Sequence, residues 1–159
     1  MRRVKHIVAA AIFVVGTSAM AEAQTIQFRA ALAGDKEVPP VLTGAFGDAV
    51  VTLDLTTQTV TWTVNVFNMP SGTTASHFHV GGSTHAGPIV VNFTVPPNIS
   101  NDYSFSGSAN ALTNARPDQG IRSWEDFIQS LLGGQIYINV HSVVNPGGEI
   151  RGPVLRVSP

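Results

Sequence analysis

There is no cysteine among the 159 residues. Disulfides, thiolate chemistry and cysteine-ligated zinc are therefore excluded. Positive charge is also scarce, with nine lysines and arginines against ten acidic residues. Three of the nine lie at the start of the chain, where Arg2, Arg3 and Lys5 precede an apolar stretch at 7–15 and then small residues. That is the layout of a secretory signal peptide. Thr17, Ser18 and Glu22 interrupt the apolar run well short of the ~20 residues that a spanning helix needs. Of the two A-x-A sites, Ala19-Met20-Ala21 and Ala21-Glu22-Ala23, the second leaves Gln24 just before the first expected strand. The expected organisation is a signal peptide at 1–23, one domain at 24–159 with no transmembrane segment, and export to a periplasm or the extracellular space.

The exported part carries six basic and nine acidic residues. No stripe of Lys and Arg exists to displace counterions from a phosphate backbone, and no polybasic patch exists to hold anionic lipid. Nucleic acid is not an expected partner. Catalytic patterns are missing too: no nucleophile with a base and an orienting acid, no paired-carboxylate motif and no phosphate loop can be read along the chain.

What is present is alternation with period two, which sends every second side chain to one face of a strand. Ile26, Phe28, Ala30 and Leu32 form one set, Ala49, Val51, Leu53 and Leu55 a second, and Val60, Trp62, Val64 and Val66 a third. The short polar segment 56–59 joins the last two as a hairpin. Further strands are expected at 76–80, 89–95, 102–107, 135–141 and 149–157, with Gly, Pro, Asn and Ser clusters as turns. One segment changes period: Trp124, Phe127, Ile128, Leu131 and Leu132 recur at helical spacing, which predicts a helix over 123–132. Ser123 suits its N-cap, Glu125 and Asp126 its first turn, and Gly133 a left-handed end. The expected fold is all-β: an antiparallel Greek-key-like sandwich or partly open barrel, with the short helix at an edge or end.

Four histidines follow the signal peptide: His77, His79, His85 and His141. On a strand His77 and His79 share a face while Phe78 and Val80 take the other, so an H-x-H pair offers two imidazoles to one cation. His85 lies in a Gly-rich loop that can fold back. His141 ends a strand whose Ile136, Ile138 and Val140 face away from it, so it shares a face with Tyr137 and Asn139. If the two strands are neighbours, these histidines form an imidazole-rich site for copper or zinc. The competing reading is that they hydrogen-bond to backbone or to carboxylates. In that reading Glu149 and Arg151, which alternate onto a common face, pair with each other or with a histidine. Asn92-Phe93-Thr94 and Asn98-Ile99-Ser100 match glycosylation sequons, which matter only in a eukaryotic secretory host.

Four stretches together carry a family resemblance. They are Phe28 to Leu32 with Gly34, Glu37, Val38, Pro39, Pro40, Gly44, Gly47 and Ala49; His77-Phe78-His79-Val80-Gly81-Gly82 followed by Gly87-Pro88-Ile89-Val90; Tyr137-Ile138-Asn139-Val140-His141-Ser142; and Asn145-Pro146-Gly147-Gly148-Glu149-Ile150-Arg151-Gly152. In this order they resemble the CHRD (chordin-type) domain, a secreted all-β module found in chordin and in stand-alone microbial proteins. The resemblance implies the fold more than an activity. Chordin's growth-factor antagonism does not transfer, because the cysteine-rich modules that carry it have no counterpart here.

Two functions follow as expectations. One is a non-catalytic secreted or periplasmic module that binds a protein, glycan or envelope partner. The other is a histidine-based copper or zinc protein, remotely similar to Cu/Zn superoxide dismutase, although that enzyme's disulfide cysteines and remaining ligands are not found.

Overall fold

The computed structural model describes residues 24–82, 84–97 and 100–157. The expected signal peptide and Asn98-Ile99 of the second sequon lie outside the described residues.

Three long strands form where the alternation is cleanest: β1 (Thr25–Ala33), β2 (Phe46–Asp54) and β3 (Thr59–Phe67). β1 pairs with β2 and β2 with β3, both antiparallel, and Val51 lies opposite Phe28 and Trp62. Phe28, Leu32, Val51, Leu53, Val60, Trp62, Val64 and Val66 are buried as their spacing requires. Ile26 is half-buried at the start of β1, and Leu55 falls beyond β2 and is 39 % exposed. Asp54 Oδ1 accepts from the amides of Thr56 and Thr57, which turns the chain there and carries Leu55 out of the strand.

The remaining strands are β4 (Ala75–Val80), β5 (Ile89–Asn92), β6 (Tyr103–Ala109), β7 (Ile136–His141), β8 (Ile150–Pro153) and β9 (Leu155–Arg156). They complete one antiparallel sheet in the order β5-β4-β7-β8-β1-β2-β3-β6, with β9 added on β1. The sheet curls into a nearly closed, barrel-like form around a single core. Two expected strands come out differently. β5 stops at Asn92, ahead of Pro96 and Pro97, which cannot donate to a ladder. The expected strand 149–157 is split at Val154, which is buried and donates its amide to Ile136. Pro153 has no amide to offer, and beyond Val154 the chain continues as β9, which pairs with β1.

The one α-helix among the described residues, α1 (Trp124–Leu132), buries Phe127, Ile128 and Leu131. Its start is a capping box: Ser123 Oγ accepts from the Asp126 amide at 3.2 Å, and Asp126 Oδ2 accepts from the Ser123 amide at 3.1 Å. Trp124 Nε1 donates to Gln58 O in the β2–β3 turn, and Phe127 rests on Phe78 of β4. The left-handed residue at the far end is Gly134, with φ of 69°, while Gly133 keeps φ of −81°. The helix runs one residue further before it turns than the sequence reading placed it. Ser123→Ala is expected to lower the unfolding free energy by about 1 kcal/mol, read from urea denaturation, since it frees the Asp126 amide without touching the core.

Candidate metal centre

The half of the sheet that matters for chemistry is β4-β7-β8. Phe78 and Val80 of β4, and Ile136, Ile138 and Val140 of β7, are buried among the core residues. Alternation therefore sends His77 and His79, and Tyr137, Asn139 and His141, to the other side of the sheet. That side is not open to water along β7, where all six residues are buried. The 3-10 turn at Gly34–Lys36 with Glu37, and the loop between β7 and β8, pack against it.

Strand register decides which side chains meet. Ala75 lies opposite His141, His77 opposite Asn139 and His79 opposite Tyr137. His79 and His141 thus lie on opposite strands, one to each side of the His77/Asn139 pair. One nitrogen from each of His77, His79 and His141 lies within 4.8 Å of the others.

The proton on each ring follows from its partner. His141 Nδ1 is 2.8 Å from Pro146 O, and a carbonyl can only accept, so Nδ1 holds the hydrogen and Nε2 a lone pair. His79 Nδ1 is fixed in the same way by Gly87 O at 2.8 Å, and His79 Nε2 is buried with no hydrogen-bond partner. His77 Nδ1 lies 3.0 Å from His141 Nε2, to which it donates. Imidazoles whose second nitrogen donates to a backbone carbonyl are the usual form of metal-ligating histidine. Zinc or copper at about 2.0–2.1 Å from each nitrogen sets ligand atoms about 3.3–3.4 Å apart, so the wider separations close by about 1 Å while the 3.0 Å His77–His141 contact opens slightly and gives up its hydrogen.

Electrostatics act in the same direction. Burial, together with the neighbouring imidazoles of His141 and His79, lowers the pKa of His77 to about 4. Burial also takes His79 down to about 4 against the opposing Gly87 hydrogen bond, and lowers His141. All three rings are neutral at pH 7, so a metal ion has no proton to displace from a charged ring.

His85 does not join them. It is exposed, its ring lies over Gly81 and Gly82, and its carbonyl accepts from Arg151 Nη1 at 3.2 Å. The Gly-rich loop folds back, as expected, but it brings the backbone of Gly87 to the site in place of the His85 ring.

The residues around the triad have distinct tasks. Glu149, fully buried, accepts through Oε2 from Ser142 Oγ at 2.7 Å and Asn145 Nδ2 at 2.6 Å. Those bonds fix the loop that delivers Pro146 O to His141. Arg151 reaches Lys36 O and lies 4.7 Å over the Tyr137 ring. His79 stacks on the same ring at 4.9 Å, from the β4 side. The Tyr137 hydroxyl accepts from the Gly87 amide at 2.9 Å and donates to its carbonyl at 3.2 Å, which anchors the group that orients His79. Glu37 receives Asn139 Nδ2 at 2.6 Å, and burial raises its pKa to about 7 against the lowering influence of Arg151 and Asn139.

Glu37, Gly87, Pro146, Ser142 and Asn145 were not singled out as site residues from the sequence. Two of these groups are backbone carbonyls, which leave no trace in residue identity. For Glu37 the signal available was its place in the first of the family-like stretches, next to Val38-Pro39-Pro40.

Among known families, residues 28–154 match the model described as the CHRD domain. No curated protein and no solved structure gives a significant match.

Proposed function

This chain belongs to the CHRD domain family, and from that premise we propose that it is an exported, non-catalytic binding protein whose ligand is a copper or zinc ion. The observation that carries this reading is the buried, unpartnered Nε2 of His79 beside His77 and His141. An orphaned buried acceptor costs about 1–3 kcal/mol, and a cation relieves that cost. Imidazole nitrogens suit zinc and copper over calcium or magnesium. Export is proposed from the amino-terminal pattern. Among the described residues no helix is long and apolar enough to cross a membrane.

Calorimetric titration with zinc and copper(II) tests this. The wild type is expected to bind one equivalent of ion, and His79→Ala to lose more than the 10–100-fold that removal of a supporting partner costs. His85→Ala is expected to bind as the wild type does. Equal retention by wild type and His79→Ala would overturn the reading.

A protein or envelope partner is the second reading. Leu42, fully exposed, and Val143 and Val144, at 66 % and 62 %, favour it, because all three stand on the loops around the site. Replacing these three by serine is expected to abolish recovery of a specific partner in a pull-down from the native exported fraction while leaving metal binding unchanged.

A further inference from the structure

Asn139 occupies the middle of the site. Its Cα lies opposite His77, His141 is the next residue on its own face of β7, and His79 is diagonal to it across the strand pair. Directly opposed side chains in a sheet have Cβ atoms about 4.5–5.5 Å apart and diagonal ones about 7–8 Å. The short Asn139 side chain therefore forms the floor over which the longer imidazoles converge.

Its amide has one fixed end and one unsatisfied end. Nδ2 donates to Glu37 Oε1 at 2.6 Å. Gly148 closes over that end with φ of 139°: a Cβ there would stand 2.4 Å from Nδ2 and 2.8 Å from Glu37 Oε1, so only glycine fits. Asn139 is 3 % exposed, and its Oδ1 has no hydrogen-bond partner. Nδ2 is held against Glu37 and Gly148, which leaves Oδ1 as the terminal atom of the amide that is buried without a partner.

We propose that Asn139 Oδ1 is the fourth ligand of the ion held by His77, His79 and His141, giving a closed three-nitrogen, one-oxygen centre. The proposal rests on the metal reading above and goes further, because it fixes what the centre can do. Metal sites that retain a water in the fourth position generate a nucleophile, whereas sites closed by four protein ligands hold the ion without reacting. A protein oxygen in that place makes this a holding site for the ion and leaves no metal-bound water for hydrolysis. Glu37 and Gly148 are then positioning residues, which act by keeping the amide turned.

Zinc affinity and the visible spectrum of the cobalt(II) form test the proposal in three proteins. Wild type is expected to give an intense four-coordinate cobalt spectrum. Asn139→Leu keeps the size of the side chain and removes the oxygen; its zinc affinity is expected to fall by at least 10-fold, with a shifted cobalt band. The paired change Asn139→Asp with Glu37→Gln restores the hydrogen bond in reverse and leaves an anionic oxygen at the centre, so zinc should bind more tightly than in wild type.

If Asn139 serves only the fold, Asn139→Leu lowers the melting temperature without changing the affinity of the folded protein, and the paired change does not tighten binding. Either result overturns the proposal, and should Asn139→Leu fail to fold, the paired variant decides alone. Loss of binding in His79→Ala with unchanged binding in both Asn139 proteins would remove this inference and leave the histidine site standing. No binding by wild type would remove both.

Discussion

Phe78→Ala is expected to lose about 3–5 kcal/mol of unfolding free energy, a large share of the roughly 5–15 kcal/mol that holds an ordinary domain together. Phe78 is fully buried and meets three other aromatic rings: Phe93 at 4.7 Å, Trp62 at 5.4 Å and Phe127 at 5.6 Å. It thus joins β4 to β3, to the segment after β5 and to α1, and no neighbour can fill the space of a whole ring without shifting. The loss reaches the histidine cluster because Phe78 lies between His77 and His79 in sequence. Its burial sets the rotation of β4 and therefore the side to which both imidazoles point. Urea denaturation should show the loss, and zinc titration of the folded fraction should show weakened binding. A loss below about 1 kcal/mol would mean that this strand is not seated in the core as described.

Acidification should destabilise the metal-free protein, and the sign follows from which state binds protons. His77 and His79 fall from 6.5 to about 4 on folding. Between those values the unfolded chain holds protons on both rings that the native protein does not. Their contribution is intact above pH 6.5 and is lost as pH falls toward 4, at about 1.4 kcal/mol per unit for each ring, reduced at His77 by its partial exposure. His141 shifts in the same direction, since burial lowers it too.

Glu37 opposes them. Its pKa rises from 4.5 to about 7, mainly through burial and with Glu149 adding to the rise, while Arg151 and Asn139 hold it down. Its contribution is present below pH 4.5 and is lost as pH rises through 7. Two rings, one of them discounted for exposure, against one carboxyl leave a net loss of about 1–2 kcal/mol between pH 7 and pH 4.5. In Glu37→Gln, which keeps an acceptor for Asn139, the acid loss should be about twice as large, and above pH 8 the variant should be more stable than wild type. Denaturant midpoints measured from pH 4.5 to 9 check both statements. A flat profile in Glu37→Gln, where the opposing carboxyl is gone, would show that the histidines are not buried as neutral rings.

How far residue identity alone reaches is visible from particular places. The three long strands were legible because their outward faces are polar, so burial leaves a strict alternation in Val60, Trp62, Val64 and Val66. The common face of His77 and His79 was legible for the same reason, with Phe78 and Val80 marking the core side. β7 was legible as a strand, but not as one buried on both faces, since Tyr137, Asn139 and His141 look like solvent-facing residues until Glu37 and the loop at 142–148 cover them. His85 was grouped with the other histidines because proximity along the chain says little about a Gly-rich loop, whose course here is set by Gly87 hydrogen-bonding to Tyr137 and His79. Alternation places Glu149 and Arg151 on a common face, where they pair with each other or with a histidine in the competing reading. The Glu149 carboxylate holds Ser142 and Asn145, a local loop contact that strand periodicity does not describe.

Diffraction at the zinc or copper absorption edge, from crystals of the protein with one equivalent of the ion, tests the central claim most directly. The expected result is one anomalous peak about 2.0–2.1 Å from His79 Nε2, His141 Nε2 and His77 Nδ1, with the His77 hydrogen moved to its other nitrogen. A peak at His85 or at surface carboxylates alone, or none at all, would contradict it.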